Sequence, residues 1–393
     1  MRIVAIGDVG VVDSMMHIGD EAMFEEFLDQ ARARGVDGVI AISAEPDETG
    51  LRYGIQSIPR LGLVGDRATM LERAHAIVAG TIDDDDPAQA TMRAVEAADR
   101  LVVTGAGNLA SNWPVHIIER WALSRLAAAA GIPFVVTGQT LGPELTPDDE
   151  ALLIDLLSSA EIVGVREAAS LALARRLGIT QAVQTVDDAS FLRIDQPTPA
   201  IGEIAPGYCL VSLSTHVGAA DRVAFQTAVA GLLDAIAETT GLRVVFYAHF
   251  GPLDGEPARG DVVMHRAVAD LMTAPSEVVA TGDSDAAAWL ARRADLVVSS
   301  RYHPAVFAVS SGVATLGIAV DEYTTVKLTG ALGNFGQRGV VSADDVISGA
   351  AVAASAELWR DRDEIRERSM GIARERRDDS IAWWDRVVGH ARN

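Results

Sequence analysis

Short apolar runs that alternate with helical stretches restrict this chain to the α/β class. The first run covers residues 2–7, and a typical later one is Asp295–Val298. Runs of this kind, bounded by Gly, Asp or Ser and followed by a segment with helix start and stop signals, are typical of buried parallel strands. The pattern covers residues 1–200 and returns over residues 207–355. Strands that alternate with helices predict βαβ units, so we expect two βα halves, each built on a parallel sheet.

A Pro-rich polar stretch over residues 195–206 separates the two halves. We interpret it as an interdomain linker. It divides the chain into an N-terminal domain over residues 1–200 and a C-terminal domain over residues 206–355. Residues 356–393 are strongly helical and charged, and they end near the pair Trp383-Trp384. We expect this Trp pair to pack against another surface, because large aromatic side chains are stabilised by burial.

Charge and composition exclude several classes of partner and location. The formal net charge of −22 argues against nucleic acid, whose phosphates need a basic face. No apolar run is long enough or free enough of charge to span a membrane. The N-terminus meets Asp8 too early for a signal peptide, and Cys209 is the only cysteine, which fits a cytoplasmic location.

The segment Ser299–Pro304 places an arginine and a histidine between a strand and a helix. It follows the apolar run at 295–298, and Pro304 suits the first turn of the next helix. Ligands in open α/β sheets bind at the carboxyl ends of strands, and a helix N-terminus offers free N–H groups to an anion. Arg301 and His303 therefore predict an anion site with a group able to donate a proton. The alternative is that Arg301 pairs with a structural carboxylate and His303 caps the helix.

Three further basic residues also come after predicted strands, as Arg301 and His303 do. Arg166 follows the strand Ile162–Val165, and its alternative role is an ion pair with Glu167 or another nearby acid. Lys327 is the only lysine among 33 basic residues, so a compact ammonium is either needed there or has survived by chance. His249 also follows a strand, where a histidine is more often a polar cap than a catalyst.

Neutral and acidic groups follow the strands of the first half. Asn108 ends the segment Gly105–Asn108, whose small residues would let a ligand approach the backbone. Gln139 lies in a second Gly-rich strand end, and Asp20 precedes a helix that it is placed to cap. Such groups suit sugar hydroxyls better than an anion.

Two polar segments of the first half are interpreted as structural elements of the surface rather than as ligand-binding sites. Residues 46–59 carry turn residues and little periodicity, so we expect a surface loop. The acidic run Asp83–Asp86 precedes Pro87 and is interpreted as a solvated helix start, with Asp86 as cap, rather than as a metal site. The sequence offers no convincing cluster of metal ligands.

Seven short segments, taken in order, resemble the polysaccharide pyruvyl transferase family. They are Gly19–Ala22, Gly105–Asn108, Gly138–Pro143, Val165–Glu167 with Ser170, Asp188–Phe191, Arg301–His303, and Tyr323 with Lys327. The chain departs from the family pattern at His17, where Asn is common, and at Ala106, which replaces a Gly. Both departures lie on the presumed acceptor side, so they bear on the identity of the acceptor.

This resemblance implies a GT-B-like fold, in which two Rossmann-like domains face each other across a cleft and the terminal helix crosses back to the N-terminal domain. It also implies transfer of pyruvate from phosphoenolpyruvate to two hydroxyls of a sugar, leaving a cyclic ketal. By the same resemblance Arg301, His303 and Arg166 belong to the donor site, on the C-terminal side. No cofactor or metal is required beyond phosphoenolpyruvate as co-substrate.

The chemistry of this reaction suits these residue types. Two arginines can hold the carboxylate and phosphate of phosphoenolpyruvate, and Lys327 can add a point charge. His303 can supply the proton that the methylene carbon gains. We expect Asp20, Asn108 and Gln139 to bind the sugar acceptor on the N-terminal side.

Two other function classes remain open on the sequence. A GT-B-like glycosyltransferase with a nucleotide-sugar donor would share the fold and also need cations for its diphosphate. A non-catalytic sugar- or anion-binding protein would bind phosphoenolpyruvate without releasing phosphate. The sequence is compatible with a free acceptor and with a lipid-linked one. A lipid-linked acceptor would bring the protein to the inner membrane face. The sequence is also compatible with a monomer and with a homo-oligomer.

Overall fold

Two compact units make up the chain in the computed structural model, which describes residues 1–194, 201, 204–253 and 257–389. Unit 1 contains Met1–Val12, Met23–Asp188 and the chain from Asp379 onward, and unit 2 contains Asp13–Ala22 and Ala189–Asp378. Most of the expected linker at 195–206 lies outside the described residues. Within the described part of the chain, no helix is both long enough and apolar enough to cross a membrane.

The structure contains sixteen strands in the part of the chain that it describes. They are β1 Arg2–Ile6, β2 Met15–His17, β3 Gly38–Ser43, β4 Gln56–Pro59, β5 Arg100–Val103, β6 Ala106–Leu109, β7 Phe134–Leu141, β8 Ile162–Val165, β9 Ala182–Gln184, β10 Tyr208–Ser212, β11 Arg243–Tyr247, β12 Phe250–Pro252, β13 Ser276–Val279, β14 Leu296–Ser299, β15 Thr315–Ala319 and β16 Val340–Ser342.

Helices connect these strands and cover the sheets. They are α1 Ile18–Ala33, α2 Pro46–Tyr53, α3 Arg67–Ala79, α4 Ala88–Glu96, α5 Pro114–Ala130, α6 Pro147–Ser158, α7 Ala168–Arg176, α8 Arg222–Thr240, α9 Asp261–Ala269, α10 Ser284–Arg293, α11 Tyr302–Val309, α12 Glu322–Gly333, α13 Ala343–Ile347, α14 Ala350–Arg360 and α15 Arg362–Val388.

Unit 1 is built on a parallel sheet with the order β4-β3-β1-β5-β7-β8-β9, in which β6 also pairs with β7. Val4 and Ile6 pack into one hydrophobic cluster, while Ile3 and Ala5 pack into another. Both faces of the central strand are therefore buried, which explains why it is apolar throughout. The chain runs outward from β1 in one direction and then reverses to β5, so the switch point of this sheet lies between β1 and β5.

Unit 2 repeats this topology with the parallel order β13-β11-β10-β14-β15-β16. Its first strand, β10, is again central, and the direction of winding reverses at β14. The switch point of unit 2 therefore lies between β10 and β14. These two parallel sheets confirm the predicted α/β class and the two Rossmann-like halves.

The segment Asp13–Ala22 belongs to unit 2, although the sequence placed it in the N-terminal domain. Strand β2 forms an antiparallel pair with β12, and the Ile18 amide donates to the His249 carbonyl at 3.1 Å. Backbone bonds of this kind join parts of the chain that are far apart in sequence, so local patterns do not indicate them.

The Trp pair of the last helix packs as predicted. Trp383 and Trp384 are buried, in a hydrophobic cluster of unit 1. The indole Nε1 of Trp383 donates to Thr137 Oγ1 at 2.8 Å. A Cβ on Gly164 of β8 would lie 2.3 Å from the Trp383 ring, so the indole needs a glycine beneath it.

Three local predictions in unit 1 are wrong. Residues 46–59 form α2 and β4 instead of a loop, because Pro46 starts the helix and Gly54 ends it in the left-handed conformation. Strand β7 continues to Leu141 through the segment expected to be a strand end, since β6 pairs alongside it. Helix α4 begins at Ala88 rather than at Pro87, and Asp86 pairs with Arg73 at 2.9 Å besides accepting from the Ala88 amide.

Candidate functional site

Arg301 lies at the switch point of unit 2, directly after β14. It is the N-cap residue of α11, and its Nε and Nη2 donate to the buried carboxylate of Asp261 at distances from 2.5 to 3.1 Å. Burial raises the pKa of the Asp261 carboxyl, while the Arg301 guanidinium acts in the opposite direction. The structural ion pair considered as an alternative role is thus present. Among the hydrogen bonds of the described residues none uses Arg301 Nη1, and the Arg301 side chain is 27% exposed.

His303 stands in the first turn of α11, next to the N-terminus of a second helix. A Cβ on Gly19 would lie 1.8 Å from His303 Nδ1, so only glycine allows the first turn of α1 to approach the imidazole this closely. Helix N-termini carry free N–H groups and the positive end of the helix dipole. Two such termini, of α1 and α11, therefore meet around His303, and the environment favours an anion.

Two neutral histidines lie near Arg301 and His303. His249 follows β11, and burial together with the neighbouring cations lowers its pKa to about 3. His265 lies on α9, where burial also lowers its pKa to about 3. Its Nε2 accepts from the Leu213 amide at 2.8 Å. The sequence analysis considered His249 but missed His265, for which no local pattern distinguishes a site residue from a core residue.

Lys327 projects from α12 toward the same motif. Its ammonium lies 4.9 Å from the ring centroid of Tyr302 and 4.6 Å from that of Tyr323, and it donates to the Tyr323 hydroxyl at 3.1 Å. The only lysine of the chain thus contacts the middle residue of Arg301-Tyr302-His303. A cation held over two aromatic faces keeps a defined position, although its predicted contact with a donor stays a prediction.

Asp20 stands inside the first turn of α1 rather than at its N-cap, because the helix begins at Ile18. Its carboxylate lies 3.9 Å from His17 Nδ1, and the His17 ring packs 4.0 Å from that of Phe250. Asp20 therefore belongs to the surroundings of His303 in unit 2. Asn108 and Gln139, with which it was grouped, lie in unit 1, and the contact of Asp20 with an acceptor stays a prediction.

Arg166 is fully buried in unit 1. Its Nη1 donates to Asp187 at 2.7 Å, and its Nε donates to Thr140 Oγ1 at 2.9 Å. The ion pair considered above as an alternative is therefore present. Asp187 is the closer acid, and Glu167 Oε2 lies 3.8 Å from the Arg166 Nε. The structure places Arg166 in a different unit from Arg301, His303 and Lys327.

Asp188 occupies the space beside the two Gly-rich segments of unit 1. Its carboxylate accepts from the Gly105 amide at 3.1 Å and from Thr137 Oγ1 at 2.9 Å, and a Cβ on Gly138 would lie 2.5 Å from it. These glycines make room for a side chain of the protein itself rather than for a ligand. Burial, followed by the neighbouring Asp187, raises the pKa of Asp188 to about 8.

Gln139 and Asn108 differ in accessibility. Gln139 is fully buried on β7, and its amide donates to the carbonyls of Thr104 and Thr137. Asn108 on β6 is half-buried and donates to Asp8, which follows β1. Only Asn108 thus lies where a ligand at the switch point of unit 1 can reach it.

A group of five charged or titratable residues surrounds Asp8 at this switch point. They are Asp8, Arg60, His116, Glu119 and Arg120, and they are joined by hydrogen bonds. Sequence reasoning missed this group, although its position after β1 was a usable signal. Among the described residues, no three His, Cys, Asp or Glu side chains are arranged to hold a metal ion.

Comparison with solved structures shows the same overall fold at low sequence identity. The co-structure of S. aureus MnaA with UDP has a TM-score of 0.62 and 12% identity, covering 100% of this chain and 99% of that one. UDP-GlcNAc 2-epimerase from Neisseria meningitidis, bound to UDP-GlcNAc, has a TM-score of 0.58 and 10% identity, covering 98% and 100%. A putative UDP-N-acetylglucosamine 2-epimerase from Listeria monocytogenes has a TM-score of 0.60 and 12% identity, covering 94% and 90%. These likenesses confirm the GT-B-like fold.

The family comparison covers most of the chain. None of the curated proteins matched it. The family model for polysaccharide pyruvyl transferase matches residues 17–322, which include Gly19 and the Arg301–His303 segment but end before Lys327. The chain belongs to the polysaccharide pyruvyl transferase family.

Proposed function

We propose that the protein transfers pyruvate from phosphoenolpyruvate to two hydroxyls of a sugar in a polysaccharide or its precursor, forming a cyclic ketal. The observation that carries this proposal is the Arg301–His303 segment at the unit 2 switch point, where two helix N-termini meet, in a member of this family. Phosphoenolpyruvate carries two anionic groups, which is what such a position favours.

Arg301 binds the donor in this proposal. Asp261 fixes its guanidinium through Nε and Nη2, which leaves Nη1 for a phosphate or carboxylate oxygen. Holding the planar group in advance reduces the rotamer entropy that binding would otherwise cost. Lys327 adds a second positive charge beside Tyr302. Arg166 remains a predicted donor contact, but its burial against Asp187 makes support of unit 1 its observed role.

His303 is the general acid of the proposed reaction. It gives a proton to C3 of phosphoenolpyruvate, which becomes the methyl group, while a sugar hydroxyl oxygen bonds to C2 and loses its own proton. The bond from C2 to the phosphate oxygen then breaks, and a second hydroxyl closes the ketal at C2. The two sugar hydroxyls lose one proton each. One of these protons restores His303 after its transfer to C3, and the other leaves with the phosphate.

Two neighbouring imidazoles are poor candidates for this acid. The pKa values of His249 and His265 are lowered to about 3 by burial, so near pH 7 neither carries the extra proton that a general acid donates. His303 lies against the first turn of α1 and beside Arg301. We assign the proton to His303 for this reason.

We place the acceptor at the switch point of unit 1, with Asn108 as a contact. Gln139 supports the backbone around it, and Asp20 lies near His303, where a carboxylate can accept a hydrogen bond from a sugar hydroxyl. Because phosphoenolpyruvate is made in the cytoplasm, we place the protein in the cytoplasm as part of this proposal. A lipid-linked precursor of a cell-envelope polysaccharide would be reached at the inner membrane face.

Phosphate release tests this function. The protein is incubated with phosphoenolpyruvate and a panel of acceptor glycans, and phosphate and the mass of the glycan product are measured together. We expect phosphate release that depends on one acceptor class and matches the amount of ketal formed. Parallel incubations with UDP-sugars serve as the contrast. Glycosyl transfer from a UDP-sugar without phosphate release from phosphoenolpyruvate would contradict the proposal.

A further inference from the structure

The group around Asp8 stands at the position where an open α/β sheet binds ligands. Asp8 directly follows β1, and Asn108 lies on β6, just after β5, so the two flank the switch point of unit 1. We call the set Asp8, Arg60, Asn108, His116, Glu119 and Arg120 the β1 cluster.

The charges of the β1 cluster balance internally. Asp8 accepts from Arg120 Nη2 at 2.8 Å and from Arg60 Nη1 at 3.4 Å, and Glu119 accepts from Arg60 Nε at 3.0 Å. Burial alone would raise the pKa of Asp8, but the neighbouring Arg120, His116 and Arg60 lower it well below its usual range. Two carboxylates thus neutralise two guanidinium groups, so the cluster does not favour a charged ligand.

This network fixes the tautomer of His116. Its Nδ1 lies 2.8 Å from Arg120 Nη1 and 3.3 Å from Arg60 Nη2. Asp8 Oδ1 also lies 3.3 Å from Nδ1, but the hydrogen bonds that Nδ1 makes among the described residues are those with the two arginines. Guanidinium groups only donate hydrogen bonds, so Nδ1 accepts and the ring proton lies on Nε2. Burial, with Arg120 and Arg60, lowers the pKa of His116 to about 4, and the ring is neutral near pH 7. No hydrogen bond of the described residues uses its Nε2.

Asn108 supplies the complementary group. Its amide nitrogen donates to Asp8, while its Oδ1 is buried without a hydrogen-bond partner. The cluster therefore presents one fixed donor, His116 Nε2–H, and one unused acceptor, Asn108 Oδ1. Hydroxyls can satisfy a donor and an acceptor, since they accept and donate, whereas a phosphate oxygen can only accept.

An exposed aromatic residue lies at the start of the helix that carries His116. Trp113 is the N-cap residue of α5 and is 38% exposed, and its carbonyl accepts from the His116 amide at 3.0 Å. An exposed indole one helical turn before His116 suits the apolar face of a sugar ring, which combines C–H and hydroxyl surfaces.

We propose that the β1 cluster and Trp113 form a binding site for an uncharged sugar, in which His116 is a hydrogen-bond donor of fixed tautomer and takes no part in proton transfer. That this sugar is the pyruvate acceptor rests on the proposed function, whereas the binding itself does not. His116 selects a hydroxyl through Nε2–H, Asn108 Oδ1 receives the proton of a hydroxyl, and Trp113 packs against the ring.

Direct binding of simple glycosides tests the site without any turnover. Methyl glycosides of galactose, glucose and mannose, with methyl glucuronide as the anionic counterpart, are titrated into the wild-type protein and followed by saturation-transfer NMR. The variants are His116→Gln, His116→Phe and Trp113→Ala. His116→Gln keeps both an acceptor for the arginines and an N–H donor, and Trp113→Ala changes an exposed side chain. His75→Phe, on the exposed side of α3, is the matched control.

We expect at least one neutral glycoside to bind and to lose at least about tenfold in affinity in His116→Phe and Trp113→Ala. His116→Gln and His75→Phe should bind it within about threefold of wild type. Affinity should not change between pH 6 and pH 8, because His116 stays neutral in that range. Binding of none of the neutral glycosides, binding of the glucuronide alone, or equal binding by His116→Phe and Trp113→Ala would each overturn the proposal. Glycoside binding that depends on His116 in a protein that releases no phosphate from phosphoenolpyruvate would support the sugar site and contradict only the proposed function.

Discussion

The switch points of the two sheets occupy the same topological position but differ in charge. In unit 1, Asp8 and Glu119 neutralise two arginines. In unit 2, a single carboxylate, Asp261, pairs with Arg301, and helix N-termini and Lys327 add positive potential. This difference in charge indicates that strand order determines where a ligand binds. The side chains at that position determine which ligand it is.

Histidine chemistry follows the same division. His116 in unit 1 is fixed as a neutral donor by two arginines. His249 and His265 in unit 2 are neutral because of burial, and His303 lies against the first turn of α1, where Gly19 leaves room for its ring. If donor chemistry belongs to unit 2 and acceptor binding to unit 1, substitutions in the two units should affect different substrates.

The largest effect is expected for His303→Gln. Removal of a general acid typically lowers the rate about 10²–10⁴-fold, so turnover should fall by that factor while phosphoenolpyruvate affinity stays within about tenfold of wild type. Single-turnover kinetics and donor calorimetry measure the two quantities, and His75→Gln, at an exposed position of α3, is the matched control. Near-normal turnover of His303→Gln would remove it as the acid.

Arg301→Ala should weaken phosphoenolpyruvate binding by about 100-fold, since it removes a charge-assisted contact to the anion. The substitution also leaves the buried Asp261 without its cation, which destabilises the fold. The double variant Arg301→Ala/Asp261→Asn avoids this uncompensated charge and should remain folded but equally weak in binding. Calorimetry on both variants decides the outcome, and wild-type affinity in the double variant would assign Arg301 a purely structural role.

Lys327→Met should lower phosphoenolpyruvate affinity by about tenfold and change acceptor affinity little, because a point charge beside Tyr302 acts on the anion alone. The unique lysine offers a second readout. An amine-reactive reagent can modify only Lys327 among the side chains of this chain, and phosphoenolpyruvate should slow this modification. A labelling rate unaffected by saturating donor would place the ammonium outside the donor site.

Asn108→Ala should raise the acceptor KM by about three- to tenfold and leave phosphoenolpyruvate affinity unchanged. The variant removes the unused Oδ1 acceptor and also the hydrogen bond to Asp8, which together correspond to one or two ordinary hydrogen bonds. Initial-rate kinetics with each substrate varied in turn make the comparison. Lower donor affinity with an unchanged acceptor KM would reverse the assignment of the two units.

The smallest effect concerns the stability of unit 1. The pKa of Asp188 is raised to about 8 in the folded protein, above its unfolded value of about 4. The protonated carboxyl therefore contributes stability that is fully present below about pH 4 and is lost as the pH rises through 8. Asp188→Asn stays uncharged, so its Tm should gain at least about 4 °C relative to wild type between pH 5 and pH 8. A constant difference in Tm across this range would show that Asp188 is ionised throughout.

Local patterns predict most of the fold. The central strands of unit 2, β10, β11, β14 and β15, lie within a few residues of the apolar runs, because burial on both sheet faces favours apolar residues along each of them. The prediction failed where structure depends on distant backbone bonds. Strand β2 belongs to unit 2 through its pairing with β12, and no pattern near Met15 indicates that partner.

The sequence predicts the centre of the unit 2 site but not its surroundings. Arg301 and His303 were found because a strand end, a Pro in the first helical turn and a cation are adjacent in sequence. Asp261, which pairs with Arg301, is 40 positions away, and Arg120 is 112 positions from Asp8. Partners at such separations meet only through the fold.

The Gly-rich segments of unit 1 illustrate how a correct signal can be misinterpreted. Gly105 and Gly138 do mark a close approach to the backbone, but the approaching group is the Asp188 carboxylate. A glycine in the sequence indicates that another group comes close to the backbone, but it does not identify that group.

The location of bound phosphoenolpyruvate tests the central claim most directly. We would determine a crystal structure of the protein with phosphoenolpyruvate and locate its phosphate and carboxylate groups by electron density. The account predicts both groups at the unit 2 switch point, with an anionic oxygen in hydrogen-bond contact with Arg301 and the methylene carbon next to His303. Phosphoenolpyruvate bound instead at the β1 cluster, against Arg60 and His116, would contradict it.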